Sequence, residues 1–331
     1  MKHLAIIVPD GQTDLSTIAS IIGAYGTFTE ANNYWKEAGK KELFKIELAG
    51  VSKKVEFSNG LLDMTPQADI TTIDKTDLII IPSSGIRSYD QATRGNRLLI
   101  DWIARQYKEG AEVASICTGA FILASTGLLD GRNCSTHWAH ADTFRMLFPK
   151  VNLQVDKVIT DEHGIYTNGG GYSFLNLMIY LVEKYYDRKT AIYCSKIMEI
   201  EIDRHSQSPF AIFTGQKLHG DDMVKKVQAY IEDNPQEKIA VDQLSSMFSV
   251  SRRTFDRRFI KATGNTPFEY SQRVKIESAK KAFETSRKTI SEVMFEVGYS
   301  DEKAFRETFR KITGMSPLEY RNRYNNEAAV V

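Results

Sequence analysis

At 331 residues the chain is longer than one ordinary domain, and at ~150 residues per domain it reads as two. Apolar residues make up 42% and charged residues 26%, which suits a buried core and excludes a disordered or fibrous chain. Forty-three basic against 42 acidic residues leave a net charge of +1, so the whole-chain charge points to neither nucleic acid nor membrane. No apolar run approaches the ~20 residues of a membrane span, and the first residues lack a secretory cleavage pattern. Three cysteines, Cys117, Cys134 and Cys194, give no disulfide framework. The expected compartment is the reducing cytoplasm.

In chain order, Leu4–Val8 reads as a buried strand and about Asp14 to Tyr25 as its helix. Phe44–Leu48 alternates with period two, and Leu78–Ile81 is fully apolar, as a central strand covered on both faces would be. A helix follows from about Gln91 to Tyr107, then a strand Glu112–Ile116 and a helix opening at Gly119. Val158–Thr167 forms a hairpin around His163-Gly164, and about Tyr172 to Lys184 carries an apolar helical face. This alternation predicts an α/β domain over residues 1–213, a mostly parallel sheet in a flavodoxin-like sandwich. Residues 214–221, Thr-Gly-Gln-Lys-Leu-His-Gly-Asp, read as a linker, and 222–331 as an all-α domain.

The all-α half contains a repeat. Phe255, Phe259, Lys261, Thr263, Gly264, Pro267, Glu269, Tyr270 and Arg273 recur fifty residues later as Phe305, Phe309, Lys311, Thr313, Gly314, Pro317, Glu319, Tyr320 and Arg323. Two copies are too few for a solenoid and suggest a paired module. In the first, a short helix ending at Phe248 leads through a tight turn to Ser251 as N-cap. A second helix then carries Phe255 and Phe259 inward and Arg252, Arg253 and Arg257 outward. In the second, Ile290–Val297, the turn Gly298-Tyr299 and cap Ser300 precede a helix with Lys303, Arg306 and Arg310 outward. Each is a helix-turn-helix, whose second helix enters the major groove by its capped end. From Arg252 to Lys288 eleven basic residues accompany four acidic ones, which fits a surface facing phosphates. Asp301 and Glu302 run against that pattern and must point at bases, at a basic neighbour or at solvent.

Ser251-Arg-Arg-Thr-Phe-Asp-Arg-Arg-Phe259, Gly298-Tyr-Ser300, Ala304-Phe-Arg-Glu-Thr-Phe309 and Thr313-Gly-Met-Ser-Pro317 resemble the DNA-binding domain of AraC/XylS-type transcription regulators. The resemblance spans about a third of the chain. It implies two helix-turn-helices in successive major grooves on one face of a double-stranded DNA operator. The expected DNA contacts are Ser251, Arg252, Arg253, Thr254, Arg257, Ser300, Lys303, Arg306 and Arg310.

In the first half, Ala114-Ser-Ile-Cys-Thr-Gly-Ala120 joins a strand to a helix through a cysteine flanked by small residues, the pattern of a nucleophile elbow. At a helix N-terminus the Cys117 thiol is expected below the ~8.5 of a free cysteine, with His137 as a potential base. Cys134, His137 and His140 lie three apart, but a fourth ligand is lacking, so no metal is expected. Residues 114–132, Thr136-His-Trp138 and Asn168-Gly-Gly-Gly171 resemble the class I glutamine amidotransferase-like, PfpI-type superfamily, in the version fused to AraC-type domains in GlxA-like regulators.

In enzymatic relatives the elbow cysteine is the nucleophile and nearby amides form an oxyanion hole, here Gly85 and Thr118. The sequence departs from that pattern twice: Ser16 stands where relatives carry an acidic residue, with only Asp14 nearby, and Pro82-Ser-Ser-Gly85 replaces Pro-Gly-Gly. The expectation is a non-enzymatic, cofactor-free regulator that binds a small effector through Cys117, Thr118, Gly85, Ser84, Ser16 and His137. Relatives sense small nitrogenous metabolites. A homodimer is expected, with RNA polymerase a partner if the protein activates. The alternative is a cysteine amidase, hydrolase or glyoxalase-like enzyme using Cys117 and His137, fused to a DNA-binding domain.

Overall fold

The structure is a computed structural model that describes residues 1–10, 14–85, 95–238 and 240–325. It divides into two compact units, Met1–Gln207 and Ser208–Val331. The first alternates strands and helices: β1 (Lys2–Val8), α1 (Leu15–Glu37), β2 (Phe44–Gly50), β3 (Val55–Phe57), β4 (Leu62–Met64), β5 (Ala68–Asp69), β6 (Leu78–Ile81), α2 (Arg97–Lys108), β7 (Glu112–Ile116), α3 (Gly119–Ser125), β8 (Asn133–Cys134), α4 (Ala141–Leu147), β9 (Asn152–Leu153), β10 (Ile159–Glu162), β11 (Ile165–Asn168), α5 (Phe174–Tyr185) and α6 (Arg188–Ile197).

The main sheet has the order β10-β11-β7-β6-β1-β2-β5 and is parallel except for the β10–β11 hairpin. Side-chain alternation splits each central strand between two cores. Leu4, Ile6, Val8, Leu78, Ile80 and Ile116 face α1, α5 and α6, whereas Ala5, Ile7, Ile79, Ile81 and Val113 face α2 and α3. That two-sided burial is why β6 reads as an unbroken apolar run. The hairpin turns on His163 (φ 52°) and Gly164 (φ 75°), the pair of positive dihedrals that a two-residue loop needs.

Two helices, α1 and α6, differ from expectation. Helix α1 continues past Tyr25 to Glu37, because Phe28 and Ala31 extend its buried face and outweigh the exposed Gly26. The start expected for α2 lies partly in 86–94, outside the described residues. Helix α6 is capped by Asp187, which accepts from Thr190 N at 2.7 Å, and buries only Thr190, Ala191, Cys194 and Ser195, a face with little apolar signal.

The second unit is helical: α7 (Asp222–Asp233), α8 (Val241–Met247), α9 (Arg252–Thr263), α10 (Pro267–Thr285), α11 (Ile290–Glu296), α12 (Glu302–Thr313) and α13 (Pro317–Tyr324). Phe255, Phe259 and Tyr270 centre one core, and Phe305, Phe309 and Tyr320 centre another, with α10 contributing to both. The units meet at Gln207–Ser208, ahead of the expected 213/214 boundary. Lys280 Nζ donates to Ala211 O at 2.6 Å, Phe213 N to Glu277 Oε2 at 3.1 Å and Gln228 Nε2 to Gln216 O at 2.8 Å. Residues from 208 onward therefore pack on the second unit, and the polar segment 214–221 does not hang free of it.

The repeated phenylalanines, glycines, prolines, glutamates and tyrosines have structural tasks. Gly264 (φ 69°) and Gly314 (φ 75°) end α9 and α12 in the left-handed conformation. Thr266 and Ser316 then cap the next helix in a reciprocal box with Glu269 and Glu319, with Pro267 and Pro317 in the first turn. Tyr270 stands edge-on to Phe259 at 5.4 Å, and Tyr320 to Phe309 at 5.5 Å.

Candidate functional sites

The turn between β7 and α3 holds Cys117 at φ 56°, a strained conformation for a residue with a side chain. Small neighbours make it possible. A Cβ on Gly119 would lie 2.4 Å from Pro82 O, and one on Gly170 would lie 2.4 Å from Cys117 Sγ. Cys117 N donates to Asn168 O at 3.0 Å, and Thr136 Oγ1 donates to Cys117 O at 2.9 Å. Asn168 also accepts from Gly170 N at 2.7 Å, which fixes the glycine loop against the sulfur.

A cavity of about 150 Å³ opens beside the sulfur. Its polar wall is Ser16, Ser20, Ser83 and Cys117, and its apolar wall comes from Leu15, Ala19, Ile116, Tyr172 and Phe174. Of the residues expected to bind an effector, Cys117 and Ser16 line it. Ser84 and Thr118 are buried behind it and bind each other, Ser84 N donating to Thr118 Oγ1 at 3.0 Å and Thr118 Oγ1 to Ser84 O at 2.6 Å. Gly85, half-buried, is the last described residue of its segment and is outside the lining. His137 is outside it as well: its Nδ1 accepts from Ala139 N at 3.2 Å, and among the described residues it has no hydrogen bond to Cys117.

The expected low thiol pKa is corrected. Burial pushes the Cys117 thiol up, and the amides of Gly171 and Thr118 with the Ser83 hydroxyl offset this only in part. Burial, helped by His140, lowers the pKa of His137. The thiol of Cys134 donates to Ser135 O, and burial drives its pKa up to about 12. Among the described residues no group of three His, Cys, Asp or Glu side chains is placed to hold a metal ion.

Two features of this region escaped the sequence reading. Ser20 and Ser83 are one; Ser20 lies one helical turn after Ser16, a spacing that was available. Gln207 is the other. Its amide is buried, donating to Thr136 O at 2.9 Å and Lys157 O at 3.2 Å and accepting from Trp138 N at 3.2 Å, in a socket where a Cβ on Gly169 would lie 2.6 Å away. No sequence pattern announces it.

In the second unit, Ser251 caps α9 by accepting from Thr254 N, as expected. The arginines of this helix divide. Arg252 is held by Asp242 and Asp256, both at 2.8 Å, and Arg258 forms a two-pronged pair with Asp221 at 2.8 and 2.6 Å. Arg253 and Arg257 are exposed and make no ion pair among the described residues. Arg257 and Lys261 line an open groove of about 860 Å³ with His219 and the start of α7. Thr254 is half-buried, its hydroxyl 3.0 Å from Ser251 Oγ.

In the second copy the cap is Asp301, accepting from Ala304 N at 2.6 Å, and not Ser300; the turn is one residue longer than the first copy suggests. The two carboxylates there have separate tasks: Asp301 satisfies the backbone, and Glu302 accepts from Arg306 Nε at 2.8 Å. Lys303 and Arg310 remain exposed and outside those pairs.

The DJ-1/PfpI family matches residues 21–184, and the helix-turn-helix domain family matches residues 244–323. The HTH-type transcriptional regulator GbdR of Pseudomonas aeruginosa is 24% identical over 298 residues, 90% of this chain and 79% of its own length. The isonitrile hydratase of Pseudomonas putida is 26% identical over 161 residues, which is 47% of this chain and 64% of the hydratase. The crystal structure of a ThiJ/PfpI family protein from Pseudomonas syringae shares the fold of the first unit, with TM-score 0.50, 19% identity, and 61% of this chain and 76% of that one covered. Similarity to a regulator thus runs through both units, whereas the similarity to the hydratase takes in about half of the chain. The chain belongs to the AraC-type transcription regulators that carry a DJ-1/PfpI-type domain ahead of their helix-turn-helix domain.

Proposed function

We propose that this DNA-binding regulator reads its operator with Arg253, Thr254 and Arg257 of α9 and with Lys303 and Arg310 of α12, under control of a small molecule bound beside Cys117. The observation that carries the reading is the doubled, capped helix-turn-helix whose second helices each leave basic side chains exposed. Bound effector favours one arrangement of the DNA-binding units over another, a shift of populations with no chemical step. The protein acts in the cytoplasm as a homodimer, so that four helix-turn-helices meet paired half-sites. Selection of the operator from random DNA, followed by binding of Arg253→Ala and Arg257→Ala, tests the DNA half of the proposal.

Cys117 serves the cavity as a neutral thiol. A nucleophile needs its thiolate and a base within reach, and burial opposes the first while His137 is hydrogen-bonded elsewhere. Alkylation of Cys117 measured against pH is expected to be slow at pH 7–8 and to rise only above the ~8.5 of a free thiol. Multiple turnover of an isonitrile or amide that is lost in Cys117→Ser would overturn this assignment in favour of an enzyme.

A further inference from the structure

The polar wall of the Cys117 cavity has a countable supply of hydrogens. Each seryl or threonyl hydroxyl has one to give. Ser20 gives its hydrogen to Thr17 O at 2.9 Å and accepts from Ser83 N at 3.2 Å. Ser16 gives its hydrogen to Asp14 Oδ1 at 2.6 Å, and Thr118 gives its own to Ser84 O at 2.6 Å. Ser83 Oγ lies 3.0 Å from both Ser16 Oγ and Thr118 Oγ1, and its single hydrogen can serve only one of the two contacts. One oxygen–oxygen contact is therefore left without a hydrogen. The three serines lining the cavity spend their hydrogens on Asp14, on Thr17 O and within the Ser16–Ser83–Thr118 contacts, so lone pairs are what they offer a ligand, with the Asp14 carboxylate behind Ser16. Among the described lining side chains the remaining donors are the weak S–H of a neutral Cys117 and the hydroxyl of the largely exposed Tyr172.

We propose that this cavity takes a small hydrogen-bond-donating cation, a primary ammonium on a compact apolar body, and disfavours a carboxylate of the same size. The inference rests on the reading of this cavity as the effector site. An ammonium brings three donors and no acceptor, so it supplies the hydrogen missing between Ser16 and Ser83 through charge-assisted bonds, with Asp14 as counter-charge. A carboxylate would set lone pairs against lone pairs near an existing negative charge. The volume of about 150 Å³ suits a body of roughly benzene size, which Leu15, Ala19 and Phe174 can cover.

The test is titration of the full-length protein with isobutylammonium, isobutanol and isobutyrate, read by ligand-observed NMR at neutral pH and by protection of Cys117 from a small alkylating reagent. Protection is measured at about pH 9, where the thiol begins to react and the ammonium keeps its charge. The ammonium is expected to bind about tenfold more tightly than the carboxylate, with the alcohol between. Asp14→Asn keeps a good helix cap and is expected to erase the advantage of the ammonium over the alcohol. Ala19→Leu fills the cavity and is expected to abolish binding of all three. Isobutyrate binding as tightly as isobutylammonium overturns the hydrogen count while leaving the cavity an effector site. If no probe protects Cys117, or if Ala19→Leu leaves binding intact, the effector-site reading falls and the proposal falls with it.

Discussion

The two helix-turn-helices are built on one plan but present different charge to a nucleic acid. In both, a phenylalanine pair, a left-handed glycine, a Ser/Thr cap, a proline and a glutamate recur at the same spacing, each answering a backbone or core requirement. The exposed faces share much less. Helix α9 begins on a neutral serine cap followed by two arginines, while α12 begins on Asp301 and Glu302. The conserved plan between copies therefore fixes shape, and the divergent first turns are where the copies can recognise different DNA. Copy one also carries the stronger pull on phosphate: Arg252–Thr263 holds five basic residues against one acidic, whereas Asp301–Thr313 holds four against three.

The largest effect expected from that contrast lies in α9. Loss of an arginine contact to guanine costs ~1–3 kcal/mol and relaxes specificity at one base pair. Arg253→Ala and Arg257→Ala should each weaken operator binding on that scale, whereas Arg310→Ala in copy two should cost less. Equal losses in both copies, measured by titration at fixed salt, would break the comparison.

A smaller effect tests the caps. Removing a side-chain cap typically costs ~1 kcal/mol, and exchanging one good cap for another costs little. Asp301→Ala is expected to lower thermal stability accordingly. Asp301→Ser should leave it close to the parent while bringing copy two towards the charge of copy one. DNA affinity should then rise in Asp301→Ser. If it falls instead, the Asp301 carboxylate contributes to recognition as well as to the cap.

What was legible in the sequence follows from whether a residue answers a local or a distant requirement. Leu78–Ile81, Glu112–Ile116 and the His163-Gly164 hairpin were readable because alternation, two-sided burial and turn dihedrals are written within a few residues. Cys117 was readable as an elbow because Gly119 follows it at fixed spacing. Its pKa was not, since burial by the loop around Gly170 and Gly171, some fifty residues away, outweighs the helix terminus. His137 shows the same limit: proximity in sequence to the elbow gave no information on where its ring points. In the second unit the salt partners Asp242 and Asp221, ten and 37 residues from the arginines they hold, decided which basic residues stay exposed. The second cap was misplaced because Ser300 and Asp301 are both good caps, although the fifty-residue offset from Ser251 falls on Asp301.

The finest effect separates Lys303 from Arg306. Each phosphate contact made by a basic side chain contributes a slope of ~0.9 to the dependence of log affinity on log salt. Lys303 is exposed and outside the ion pairs of α12, so Lys303→Ala should make the slope shallower by ~1 if it reaches a phosphate. Arg306 is already satisfied by Glu302 and must give up that exposed pair, worth well under ~1 kcal/mol, before it gains a phosphate. Arg306→Ala alone should therefore change the slope less than Lys303→Ala does. Glu302→Gln removes the competing charge, and in that background the Arg306 contribution should appear as a steeper slope that Arg306→Ala then reverses. Slopes measured for the parent, the two single variants at Lys303 and Arg306, Glu302→Gln and the double variant close the cycle. If Arg306→Ala has its full effect in the parent, the Glu302 pair does not hold the arginine back, and the contrast drawn between Lys303 and Arg306 is lost.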